Sequence, residues 1–309
     1  MSKIEIDSYL KQTAEILIKY SSFIPDIGLY NGKMGIAIFL YRYARYSNKR
    51  KYKTYANELI DDVIDALHIN TPAGIDDGIS GIRFGFDYLS KNGYINIKSD
   101  DYFESLNDFI EQSEFETINE KSYFYQGLYW VLLKSEFLEN SGFEYILDKI
   151  YSKLKNINSK KNILYPKMIQ SLLYLVLECC CNKVFGEKSE NIFNELETII
   201  KNKLYVEECD GSIFVMFSLC NKILQLKKIK KEYNNSEDMT PSFFDVLFIS
   251  KSKIIYKHDT FNTYENKLLQ IVESKKLIND IFYLINLHNL SLNNCLTGLG
   301  WSLLDHFDK

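Results

Sequence analysis

Residues Gly28 to Leu40 read GLYNGKMGIAIFL, and the same pattern returns along the chain. Gly74 to Phe86 reads GIDDGISGIRFGF, and Ser291 to Leu303 reads SLNNCLTGLGWSL. All three fit one template: a small residue, Leu or Ile, a free position, Asn or Asp, Gly or Cys, two free positions, Gly, then Ile or Leu. The step from Gly28 to Gly74 is 74 − 28 = 46 residues, and a further equal step reaches Glu120, shortly before Gly127 in KSYFYQGLYWVLL. A weaker copy, Glu207 to Leu219 (EECDGSIFVMFSL), keeps the Asp-Gly pair. In Asn162 to Tyr174 (NILYPKMIQSLLY) only the apolar segment survives, with Pro166 leading it. A period of this size marks a helical repeat architecture.

Each copy has a physical reading. Asn or Asp before Gly is turn and helix-capping chemistry, because a short polar side chain can accept from the first amides of a helix. Pro166 suits a first helical turn, where no amide donor is missed. The second Gly lets another backbone approach closely. The residues after that Gly are apolar nearly all round, as in Ile36 to Leu40 and Ile213 to Phe217, and a helix of that kind is buried on every side.

Helices of a second kind lie between these. Tyr52, Tyr55, Ala56, Leu59, Ile60, Val63, Ile64 and Leu67 recur at helical spacing, with Lys53, Asn57, Glu58, Asp61 and Asp62 between them. Similar one-sided patterns occur near 6–20, 102–110, 143–154, 192–204 and 264–272. Strand signals are almost absent, so the fold is all-α. Outer amphipathic helices alternating with inner apolar ones can stack as a solenoid or close as an α/α toroid. Inner helices without a polar face favour the toroid, of six or seven hairpins with Gly-rich turns leading into the inner helices. The whole of 1–309 then forms one domain, and 234–260, which opens on the loop signal NNSEDMTP, is an irregular insertion or a degenerate repeat.

Of the residues, 46% are hydrophobic and 25% charged, which suits a cored globular chain; the net charge of −4 is dispersed. No basic stripe marks a nucleic-acid surface, no apolar run is long enough to span a membrane, and no signal-peptide core opens the chain, so a cytoplasmic location is expected. The six Cys lack paired C-x-x-C spacing and read as reduced, mostly buried thiols. Cys179, Cys180 and Cys181 project about 100° apart on a helix and cannot chelate together, so they read as core.

The Gly-led repeat and the closing CLTGLGWSLL resemble the lanthionine synthetase C-like family, the lantibiotic cyclases and their relatives. The resemblance is most specific over the first third of the chain and at its end. It implies an α/α toroid of seven hairpins and, in active members, a zinc ion that activates a peptide Cys thiolate for addition to a dehydrated Ser or Thr. The family's ligand motifs are W-C-Y-G and C-H-G. Carried over, the first falls on Glu208-Cys209-Asp210-Gly211 and leaves Cys209 at a ligand position. The second has no counterpart, since His258 in Lys257-His258-Asp259 lacks the preceding Cys. A catalytic zinc needs three protein ligands with an open fourth position, so the chain is expected to carry no zinc, with Cys209 and His258 as the weak candidates.

The residues just before each inner helix should ring one end of the toroid: Tyr30 and Asn31, Asp76 and Asp77, Ser122 and Tyr123, Leu164 and Tyr165, Cys209 and Asp210, Asn293 and Asn294. Aromatic and hydrogen-bonding groups at helix N-termini make a concave mixed surface, the usual form of a ligand site; the plainer alternative is that they cap and fill. The first functional expectation is a zinc-free toroid binding a peptide substrate or a peptide-modifying partner protein at that mouth, with no nucleic acid and no membrane span. A zinc-dependent peptide cyclase using Cys209 and His258 is the alternative. A carbohydrate-acting enzyme using Asp76 or Asp77 needs a partner carboxylate across the mouth.

Overall fold

The computed structural model describes residues 3–30, 32–68, 71–72, 78–96, 141–183, 186–206 and 210–229, together with Gly300 and Leu304. Contacts group the chain into two compact units. The first joins Met1–Phe109 with Val246–Lys309, and the second is Ile110–Asp245.

In the first unit, α1 (Lys3–Tyr20) runs into a short 3-10 turn, and α2 (Lys33–Ser47), α3 (Arg50–Ala66) and α4 (Ile79–Lys91) come after it. The expected division of labour holds. Every residue of α2 from Met34 to Tyr43 is buried. In α3 burial falls on Tyr52, Ala56, Leu59, Ile60 and Val63, one stripe of an amphipathic helix. The α2 helix lies against α1, α3 and α4, as an inner helix must.

Polar groups tie the outer helices to this core. The Tyr41 hydroxyl donates to Asn57 (2.5 Å), and the Glu15 carboxylate accepts from Lys51 (2.5 Å) and from the Tyr52 hydroxyl (2.9 Å). The Lys51 hydrogen bond holds the Glu15 carboxyl below its ordinary range, while burial pushes the Tyr41 and Tyr52 phenols up to about 12. The Tyr43 ring meets Tyr52 edge-on at 4.7 Å between centroids, and the Arg45 guanidinium lies 3.7 Å over the Tyr94 ring, clasping the end of α4.

One contact in this unit spans most of the chain. The Phe39 ring of α2 lies on helical Gly300 with no room for a β-carbon. The last copy of the repeat thus touches the first within this unit.

In the second unit, α5 (Ser141–Lys160) and α7 (Gly186–Lys201) are the amphipathic members, and α6 (Pro166–Asn182) and α8 (Asp210–Leu226) the apolar ones. Helix α6 packs on both α7 and α8, and α7 on α5. Its residues Ile169 to Leu177 are buried throughout, Gln170 and Ser171 included. The expected outer segment 192–204 overruns its helix, because the chain turns at Lys203, where φ is positive. The cysteine run is core at one position only: Cys179 is buried, Cys180 half-buried and Cys181 exposed, since successive residues of a helix face different ways. Burial raises the Cys179 thiol to about 12, which makes it an inert packing group.

Candidate functional site

The segments that lead into the inner helices are the expected place of the site, and the two units build them differently. In the first unit, the amide of Lys33, first residue of α2, donates to the Asp26 carbonyl at 2.9 Å, and that of Met34 reaches the Ile27 carbonyl at 3.4 Å. One period later, the amide of Ile79, first residue of α4, donates to the Pro72 carbonyl at 2.7 Å. The donors and the acceptors each stand one repeat apart, 79 − 33 = 72 − 26 = 46 residues, so the period read from the letters is also a period in hydrogen bonds. Within the first loop, the Gly28 amide donates to the Asp26 carboxylate at 2.7 Å, an Asx turn that starts the wrap.

The N-cap residues are Gly32 (φ −125°, ψ −169°) and Gly78 (φ −122°, ψ −171°), and neither helix has a side-chain cap. Any residue tolerates a φ of that value. Space is what selects Gly32, because an added β-carbon would lie 2.5 Å from the Asp26 carbonyl oxygen. Loop carbonyls of Asp26, Ile27 and Pro72 take opening amides of α2 and α4, and Asn31, Asp76 and Asp77 lie outside the described residues. Tyr30 sits inside this wrap, only 8% exposed.

Ahead of α6, among the described residues, no such wrap forms. Pro166 opens α6 at its first position, as its fixed φ and missing donor suggest. The segment ahead of it lies alongside the one that leads to α8. Leu164 donates to the Leu204 carbonyl and accepts from the Val206 amide, both at 3.0 Å, making a single parallel bridge between Leu164 and Tyr205. Leu164 is 3% exposed, whereas Ile163 (63%), Tyr165 (49%) and Val206 (37%) stand out to solvent. Extended backbone alternates its side chains, so burying Leu164 sends both neighbours outward. The repeat pattern points to Leu164 and Tyr165 but misses Ile163 and Val206, whose β-branched types were the available signal.

Of the remaining expected site residues, Asp210 is the first residue of α8. Asn31, Asp76, Asp77, Ser122, Tyr123, Asn293 and Asn294 lie outside the described residues, as do Cys209 and His258. Among the described residues, no three His, Cys, Asp or Glu side chains converge as a metal-holding group.

An all-helical chain with alternating inner and outer helices, glycine-capped and repeating every 46 residues over its first copies, defines a class of helical toroids. Comparison with known proteins agrees. Residues 24–173 match the model of the family described as lanthionine synthetase C-like protein. Among solved structures, a nisin cyclase superposes with a TM-score of 0.59 at 13% sequence identity, covering 95% of this chain and 97% of that one. No curated protein matches the sequence. The fold is therefore the α/α toroid of nisin cyclase, and residues 24–173 are similar to the lanthionine synthetase C-like family. Among the described residues, no helix is long and apolar enough to cross a membrane.

Proposed function

We propose that this lanthionine synthetase C-like protein acts in ribosomal peptide modification by binding a peptide, or a peptide-modifying partner protein, without a bound zinc ion. The observation that carries the reading is the pair of segments ahead of α6 and α8. Their backbones are fixed by the Leu164–Tyr205 bridge, and Ile163, Tyr165 and Val206 are held open beside them. A rigid support with exposed aromatic and β-branched groups suits peptide recognition, where ordering costs fall on the ligand alone. The zinc-free part rests on the donor set. Cys209 is the sole residue at a matching ligand position, and no Cys precedes His258. Three ligands are needed, so no chemical step is assigned to a metal. The remaining mouth residues, Tyr30, Asn31, Asp76, Asp77, Tyr123, Asp210, Asn293 and Asn294, would complete the surface, in a protein that works in the cytoplasm.

A zinc-dependent cyclase is the second reading, favoured by the likeness to nisin cyclase and by Cys209. Elemental analysis of protein purified without chelators, with Cys209→Ala alongside, separates the two. Zinc below a tenth of an equivalent in both supports the binding reading. One equivalent in the native protein, lost in the variant, overturns it.

A further inference from the structure

Where α5 and α7 begin and α8 ends, Lys188 pairs with Asp148 (2.5 Å) and Glu144 (3.1 Å), and Lys227 with Glu190 (2.8 Å), while Lys183 and Lys228 are exposed. Where α5 and α7 end, exposed lysines gather at positions 160, 161, 201 and 203. Of these, Lys201 pairs with Glu197 at 2.5 Å. Both helices finish with a Lys in the left-handed conformation, Lys161 (φ 53°) and Lys203 (φ 51°), a position that glycine fills at lower cost. Two residues beyond Lys161 and three beyond Lys203 stand the outward groups Ile163 and Val206, with Tyr165 beside them. Lysines near a helix C-terminus complement its dipole, which accounts for their sign. It does not account for three large apolar groups exposed on a hydrogen-bonded pair of extended segments next to them.

We propose that the segments 163–165 and 204–206 form a docking strip for an extended acidic peptide. Its apolar side chains seat on Ile163, Tyr165 and Val206, and its carboxylates face Lys160, Lys161 and Lys203. The occupant is acidic because the flanking helix ends are cationic, and extended because the supporting backbone is. The strip rests on the peptide-binding reading and gives that peptide its chemical class.

The test uses the full-length protein and an array of short synthetic peptides with constant apolar content and graded net charge, read by fluorescence anisotropy. Acidic members should bind and basic ones should not, with affinity falling as salt rises. The triple variant Lys160→Glu/Lys161→Glu/Lys203→Glu should weaken the acidic peptides about tenfold or more, and Ile163→Ser/Val206→Ser should weaken them by a similar factor. Circular dichroism unchanged from the parent shows that both variants are folded. Acidic peptides that bind the parent and both variants alike overturn the strip but leave a peptide-binding protein. Binding independent of peptide charge also overturns it. Failure of the parent to bind any peptide overturns the strip and the peptide reading together. Self-association in sedimentation, lost in Ile163→Ser/Val206→Ser, would make a second copy of this chain the occupant instead.

Discussion

The two units reach their inner helices by different means. In the first, the chain folds back on itself, and the opening amides of α2 and α4 are taken by carbonyls of their own loops, Asp26 and Pro72. In the second, a proline removes one such donor and the loop ahead of it leans on its neighbour through Leu164 and Tyr205. The first solution is local, compact and buries its aromatic residue Tyr30; the second is non-local and leaves Tyr165 outside. One repeat can thus be specialised for holding and another for display without altering the helices behind them. Helix ends differ in the same sense. The first unit turns at Asn48 and Gly93, residues suited to positive φ, while the second turns at Lys161, Lys183, Lys203 and Lys228.

The largest expected effect comes from crowding the compact wrap. Gly32→Ala drives a β-carbon onto backbone, which cannot move aside as a flexible side chain can, and should cost about 3 kcal/mol or more in urea denaturation. Gly186→Ala, whose added carbon meets nothing within 4 Å, should be neutral or slightly stabilising. Equal losses at both sites would mean that glycine is kept for something other than space. Next is the bridge. Leu164→Ala should cost about 2 to 3 kcal/mol and raise hydrogen exchange at the Val206 amide, while Ile163→Ala should cost under about 0.5 kcal/mol.

The smaller effects concern helix ends and charge. Lys183→Gly and Lys228→Gly relieve left-handed strain at the ends of α6 and α8 and should each raise stability by up to about 1 kcal/mol, where Gly93→Ala, at φ 68°, should lower it. Glu15 sets the last prediction. Its folded pKa is depressed, so its contribution is full above the unfolded value and is lost as pH falls through the folded one. Glu15→Gln should therefore flatten the acid limb of the stability profile. At neutral pH it should cost under about 1 kcal/mol, because the pair with Lys51 is largely solvated.

The repeat was legible because two kinds of helix leave two kinds of pattern: Ile36 to Leu40 have no polar face, and Tyr52 to Leu67 have one. Glycine spacing carried the repeat from α2 to α4, down to the register of single hydrogen bonds. The Asp26 and Pro72 carbonyls as acceptors of the helix amides were not legible. An Asn-Gly pair announces a turn, but whether a side chain or a distant carbonyl meets the helix amides depends on loop closure, which leaves no letter behind. The bridge was hidden for a similar reason, since one pair of residues makes no alternation long enough to notice. Lysines at Lys161 and Lys203 look like ordinary solvated charge, because nothing in a lysine's chemistry marks a left-handed turn. Exposure of Cys181 follows from its rotation about α6, which the run of three cysteines conceals.

The touch of Phe39 on Gly300 has a kinetic meaning. These residues stand 300 − 39 = 261 positions apart, so the first inner helix is made long before its last neighbour exists. Closing a loop of that size adds only a few kcal/mol of entropy at equilibrium, because the cost grows with the logarithm of length. During synthesis the price is time. A ribosome adding about 5 to 20 residues each second leaves the Phe39 face uncovered for tens of seconds, and such a surface invites chaperones or aggregation until the final repeat arrives.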